Sequence, residues 1–141
     1  MFVRLTDYFH VAPQITLADM AAAKAEGIVQ LINNRPDGEA PGQPTSAEVE
    51  AAARAAGLDY LYIPVTGGQF TPMQVAQMQE ALENQKATLA FCRTGTRSTL
   101  LWALAEAANG ADYEKTAATA AKGGYDIAPI APLFQAVAAQ R

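Results

Sequence analysis

The chain has 141 residues, half of them hydrophobic, which is enough for one well-packed core and too few for two ordinary domains. Charged residues make up 17% and the net charge is -4, which excludes an overall positive field that would hold nucleic acid or an anionic membrane, so any anion site has to be local. With one cysteine there is no internal disulfide, and with His10 the only histidine a Cys/His metal site cannot be assembled, so neither a metal nor a cofactor is expected.

The first segment, MFVRLTDYFHVAPQ, lacks the long apolar core of a signal peptide, and no run of about 18 apolar residues follows, which makes a cytoplasmic protein the expectation. His10 reads there as a surface or capping group. Thr16 with Asp19, Thr45 with Glu48, and Thr71 with Pro72 and Gln74 each announce a helix start, because a hydroxyl accepts an orphan amide and proline suits the first helical position. Between these starts, Ile28–Ile32, Tyr60–Ile63 and Thr88–Phe91 are short apolar runs without helical spacing, as expected of strands buried on both faces. Val75, Met78 and Leu82 stripe one side of the third helix, whereas LLWAL at 100–104 is apolar nearly all round and predicts a central, buried helix in which Trp102 is core. Asp112 caps a helix through Ala121 that ends at Gly123 and Gly124, and Pro129–Ala139 forms a last one. The one long turn-rich loop is NNRPDGEAPGQP, residues 33–44. Together these elements predict a small α/β sheet covered by helices, in a single domain over 1–141.

Within this frame FCRTGTRS, residues 91–98, runs from a strand end into the buried helix. A lone cysteine at a strand end is ordinarily a small buried hydrophobe. Here it stands beside Arg93, Gly95 and Arg97, and arginines near a core without an anion would be costly. Gly95 lets the loop curl so that successive N–H groups form an anion-binding nest, and the helix N-terminus adds positive potential, a setting that favours a thiolate at Cys92. Arg97 is expected to point into this cradle and clamp substrate oxygens, with Arg93 facing outward, while Thr94, Thr96 and Ser98 offer hydroxyls to thiolate or substrate. Tyr125 and Asp126 follow a helix end, where they either close over the site or anchor a turn, and Gly67, Gly68 and Gln69 are a candidate flexible rim.

The segments QITLADM, INNRPDGEAPGQP, AAAGLDYLYIPVTGGQFTP, FCRTGTRSTLLWALA and GGYDI span nearly the whole chain and together resemble the bacterial beta-lactamase hydrolase-like phosphatase-like family. The resemblance implies a three-layer α/β architecture of the dual-specificity and tyrosine phosphatase kind rather than the rhodanese fold. It also implies an activity described for the family both as phosphatase-like and as sulfur transfer, in domains that occur alone or fused to metallo-β-lactamase-type persulfide dioxygenases. Two departures from the phosphatase pattern bear on the choice. Phosphatases of this fold carry His-Cys-x5-Arg, whereas Phe91 stands in the histidine position and Cys92 to Arg97 is Cys-x4-Arg, a loop length that resembles single-domain rhodaneses. The loop PVTGGQFTP, where such phosphatases place an aspartic acid to protonate the leaving group, holds no carboxylate.

Sulfur transfer does not need that acid. In this reading Cys92 takes a sulfur from thiosulfate or a small persulfide and hands it to an external thiol such as glutathione, since no second cysteine resolves the intermediate. The alternative is a phosphatase in which Cys92 attacks phosphorus, Arg97 or Arg93 holds the oxygens, and Asp37 or Glu39 supplies the proton; a solvated turn at Pro36-Asp37-Gly38, with Asn33, Asn34 and Arg35 fixing the strand end, explains that loop equally. A further alternative is a non-catalytic module that binds an anion or a phosphorylated partner.

Overall fold

The computed structural model describes residues 2–141. Its sheet has five strands in the order β1-β2-β5-β3-β4, namely β1 Val3–Arg4, β2 Phe9–Ala12, β3 Gln30–Asn33, β4 Asp59–Tyr62 and β5 Thr88–Phe91. β1 runs antiparallel to β2; the other pairs are parallel, with Ala12 and Asn33 both level with Phe91. Parallel neighbours require crossovers, which α1 (Asp19–Ala25), α2 (Ser46–Ala55) and α3 (Pro72–Leu82) supply. The chain leaves β5 into α4 (Thr96–Ala108), followed by α5 (Tyr113–Lys122), a short 3₁₀ turn at Ala128–Ile130 and α6 (Ala131–Ala139).

Alternation along the strands divides the core into two. Phe9, Val11, Ile32 and Ala90 face α3, α4 and the later helices, whereas Leu31, Leu89 and Phe91 face Met20 and Ala23 of α1 and Val49 and Ala53 of α2. The result is three layers, the architecture that the family resemblance implies. α4 is the most deeply buried helix, with every residue from Ser98 to Ala105 inside, and Trp102 stacks on Phe9 at 5.9 Å between ring centroids. No helix among the described residues is long and apolar enough to cross a membrane.

Several local expectations hold and several change. Thr45 with Glu48 and Thr71 with Gln74 form reciprocal capping boxes, and Asp112 caps α5. α1 is different: it has no side-chain cap, and the Asp19 carboxylate instead accepts the Thr16 N–H at 2.8 Å. β4 is not buried on both faces, because it forms the edge of the sheet and leaves Leu61 exposed. β1 and β2 carry no turn chemistry or clean alternation to announce them; β2 is a strand through its pairing with β5, and β1 through its antiparallel pairing with β2. The last helix begins at Ala131, with Pro129 in the preceding 3₁₀ turn.

Candidate active site

Because β2, β3, β4 and β5 are parallel, the segments that leave their carboxyl ends gather on one side of the sheet, where open α/β sheets place ligands. The loop after the central strand β5 is tied to its neighbours by backbone hydrogen bonds: Gln14 N–H donates to the Arg93 carbonyl at 3.2 Å, and Asn34 N–H donates to Phe91 at 2.9 Å. Gly95 takes φ +89°, a left-handed conformation that suits glycine, and stands at the N-terminus of α4. There its N–H turns inward and donates to Cys92 Sγ at 3.1 Å. The Tyr125 hydroxyl donates to the Thr94 carbonyl at 3.1 Å and lies against Gly95 so closely that a Cβ at that glycine would overlap it. Cys92 itself is completely buried beneath this loop.

Arg97 interacts with Cys92 both by charge and by hydrogen bonding. Its guanidinium also pairs with Glu39, with Nη1 and Nη2 donating to the two carboxylate oxygens at 2.7 and 2.8 Å, while Nη1 also donates to the Val65 carbonyl at 2.7 Å. This fork-on-fork pairing is the strong geometry for arginine and carboxylate. The hydrogen bond to Glu39 raises Arg97 above its ordinary value, burial opposes this, and the interaction with Cys92 adds to the rise. Arg35 completes the arrangement: Nε donates to Glu39 at 2.9 Å and Nη1 to the Gln14 side chain at 3.0 Å, with the Arg35 side chain only 6% exposed. Held chiefly by its hydrogen bond with Arg97, against an opposing effect of burial and with a lesser contribution from Arg35, the Glu39 carboxyl is lowered from 4.5 to about 2. A carboxyl lowered in this way is ionised near neutral pH. Asp37 does not line the cleft with Glu39; its carboxylate accepts the Ser46 N–H at 2.7 Å at the start of α2.

The remaining candidates divide by position. A cleft of about 600 Å³ above the loop is lined by Arg35, Glu39, Ala40, Gly67, Arg93, Thr94 and Arg97. Arg93 is exposed, and the Thr94 hydroxyl donates to that of Thr96 at 2.9 Å. Ser98 is buried with its hydroxyl oxygen unpartnered. Gly67 reaches the rim, whereas the Asp126 carboxylate accepts the Ala128 N–H at 2.9 Å in the turn before the 3₁₀ segment. His10 lies by the Thr88 carbonyl at 3.3 Å, at the opposite end of β5 from Cys92. Sequence reasoning missed Arg35 and Gln14 as parts of this site; only the density of polar residues around 33–39 hinted at the former.

Comparison with known proteins places this geometry in a family. The family model described as "Beta-lactamase hydrolase-like protein, phosphatase-like domain" matches residues 1–109. A beta-lactamase hydrolase-like protein of Agrobacterium fabrum is 39% identical over 109 residues, covering 77% of this chain and 25% of that protein, so the chain spans about a quarter of that relative's length. Among solved structures, a candidate phosphatase of Neisseria meningitidis superposes with a TM-score of 0.83 at 28% identity, covering 96% of each chain. Tk-PTP superposes with a TM-score of 0.75 at 12% identity, covering 99% of this chain and 97% of that one, a likeness of fold alone. These likenesses accord with the expected architecture and, where they speak to activity, with the phosphatase alternative rather than with sulfur transfer. By the match over most of its length, the chain belongs to the phosphatase-like domain family of beta-lactamase hydrolase-like proteins.

Proposed function

We propose that Cys92 is the nucleophile of a group-transfer enzyme built on the phosphatase-like scaffold, and that the group it accepts is a sulfane sulfur. The observation that carries this reading is the state of Glu39. It is the one carboxylate among the described residues lining the cleft, and two arginines hold it ionised, so an alkoxide or phenoxide would have to leave unprotonated. Sulfite needs no such help. The Cys92 thiolate attacks the outer sulfur of thiosulfate; the new S–S bond forms as the old one breaks, and the electron pair departs with sulfite. The resulting Cys92 persulfide keeps one negative charge, stabilised by the Gly95 N–H, the N-terminus of α4 and Arg97. An external thiolate, for example that of glutathione, then attacks the outer sulfur and restores the Cys92 thiolate. A fully buried thiol also suits the entry of one sulfur atom better than that of a whole phosphoryl group.

The second reading, a phosphatase that passes through a Cys92 phosphocysteine, is favoured by the family and by the structural neighbours. Intact-protein mass spectrometry after incubation with thiosulfate, and separately with an aryl phosphate, distinguishes the two. Gain of one sulfur on Cys92 that an added thiol removes is the expected result. A phosphoryl adduct without any persulfide overturns the proposal in favour of the phosphatase. Anion binding with neither adduct overturns both readings in favour of a binding module.

A further inference from the structure

Resting on the reading of Cys92 as the nucleophile, we propose that Tyr125 is a positioning residue for it: its hydroxyl holds the Thr94–Gly95 peptide in the orientation that aims the Gly95 N–H at Cys92 Sγ. The two hydrogen bonds involved leave opposite ends of one peptide plane. On the outer side the Thr94 carbonyl accepts the Tyr125 hydroxyl at 3.1 Å; on the inner side the Gly95 N–H, trans to that carbonyl, donates to the sulfur at 3.1 Å. Thr94 is exposed whereas Gly95 and Cys92 are buried, so this plane stands between solvent and the sulfur.

A plane so placed is free to turn over unless it is held, because the rotation is absorbed by ψ of Thr94 and φ of Gly95, and glycine tolerates either sign of φ. Turning it over would point the Thr94 carbonyl at the sulfur and remove the Gly95 donor. The peptides on either side are restrained: Gln14 N–H donates to the Arg93 carbonyl at 3.2 Å, and the Gly95 carbonyl accepts the Thr99 N–H at 3.0 Å and the Thr99 hydroxyl at 2.8 Å. Tyr125 supplies the corresponding restraint on the Thr94 carbonyl, and its bond polarises the peptide in the sense that strengthens the N–H bond to sulfur.

The end of α5 brings Tyr125 to this place. Tyr125 N–H donates to the Ala120 carbonyl and Gly124 N–H to the Ala121 carbonyl, both at 3.0 Å, with Gly124 at φ +90°; this Schellman pattern stops the helix and reverses the chain. The ring then packs against the core around α4 and lies over Gly95, where no Cβ meets it. Burial, with a smaller contribution from Cys92, pushes the Tyr125 hydroxyl above its ordinary value, so it remains a donor at neutral pH. Tyr125 is not among the residues that line the cleft above the loop, which leaves it to act through the peptide rather than on a substrate.

The test is Tyr125→Phe, which removes the hydroxyl and keeps the ring over Gly95. Amide hydrogen exchange followed by NMR should be about three- to tenfold faster at Gly95, the weight of one ordinary hydrogen bond, and unchanged at Thr99. Unchanged exchange at Gly95 overturns the inference, and equal acceleration at Thr99 overturns it in favour of a general loosening of the loop. In steady-state transfer from thiosulfate to a thiol, kcat should fall about three- to tenfold with KM unchanged. A raised KM at unchanged kcat overturns the positioning role in favour of a substrate contact, and an unchanged kcat overturns it even where exchange at Gly95 is faster. The two readings fail separately: a wild-type protein that forms no Cys92 persulfide refutes sulfur transfer and leaves exchange at Gly95 to decide the role of Tyr125, whereas normal persulfide formation with unchanged exchange at Gly95 refutes only that role.

Discussion

Replacing Arg97 with alanine tests the charge arrangement around Cys92 most directly. Three hydrogen bonds leave its guanidinium, two to Glu39 at 2.7 and 2.8 Å and one to the Val65 carbonyl at 2.7 Å. Hydrogen bonds to charged groups contribute ~1.5–3 kcal/mol when their partners are otherwise stranded. Glu39 would retain Arg35, and its side chain is 26% exposed, so water replaces part of what is lost. The cost to folding should accordingly be about 1–3 kcal/mol, which a domain of ordinary stability survives. The cost to catalysis is larger. Arg97 is a permanent charge that interacts with Cys92, and removing such a stabiliser should cost ~2.7–4 kcal/mol, a fall of about 10²–10³-fold in rate. Arg97→Lys keeps the charge without the planar fork and should recover part of the rate but little of the bond to Glu39. Steady-state transfer from thiosulfate to a thiol, with urea unfolding as the check on stability, measures both quantities. Arg97→Ala transferring sulfur within about threefold of wild type, a difference under ~1 kcal/mol, would refute the assigned role.

Further perturbations separate the other parts of the site. Cys92→Ser should abolish turnover and adduct formation while leaving the fold intact, since oxygen replaces sulfur at a buried position with an N–H donor in place; residual turnover above background would remove the nucleophile assignment. Gly95→Ala combines a left-handed φ with overlap on the Tyr125 hydroxyl and should destabilise the protein by about 1–3 kcal/mol, measured by urea unfolding; a smaller loss in the double variant with Tyr125→Phe would identify the overlap as part of the cost. Glu39 has a folded value of about 2 against 4.5, so its contribution to stability is fully present above 4.5 and is lost as pH falls through about 2. The stability gap between wild type and Glu39→Gln should therefore be constant near neutrality and close between pH 4.5 and 2, whereas a gap independent of pH would show that the carboxylate charge is irrelevant.

What the sequence revealed about this site was what lies close together in the chain. Cys92, Gly95 and Arg97 fall within one strand–loop–helix junction, and the reason for the glycine, a left-handed residue at the start of a buried helix, can be read from the residues themselves. The partner of Arg97 could not be read in that way, because Glu39 is 58 positions away and reaches it only once β3 and β5 lie side by side. For the same reason Asp37 and Glu39 looked alike as acids. The fold then ties one to the N-terminus of α2 and gives the other to two arginines. β2 shows the limit on the fold side: a four-residue strand buried at three of its positions owes its conformation to Thr88–Phe91 beside it, which local propensity does not report.

Two features bear on what the site around Cys92 can hold, the length of the loop and the partners of Arg97. Shortening the loop to Cys-x4-Arg removes one backbone amide from the cradle and so limits the number of oxygens it can satisfy. Pairing Arg97 with Glu39 and the Val65 carbonyl commits part of its guanidinium and leaves the Nε–H and one Nη2–H for a ligand. Cys92 is left with a nearby positive charge and an inward N–H. A persulfide asks for little else, because its charge rests on a single sulfur and its leaving group departs without a proton. Under the proposed sulfur transfer, the adaptation would lie in the loop alone, because the sheet, the buried α4 and the position of the cysteine at the end of the central strand are those the fold dictates.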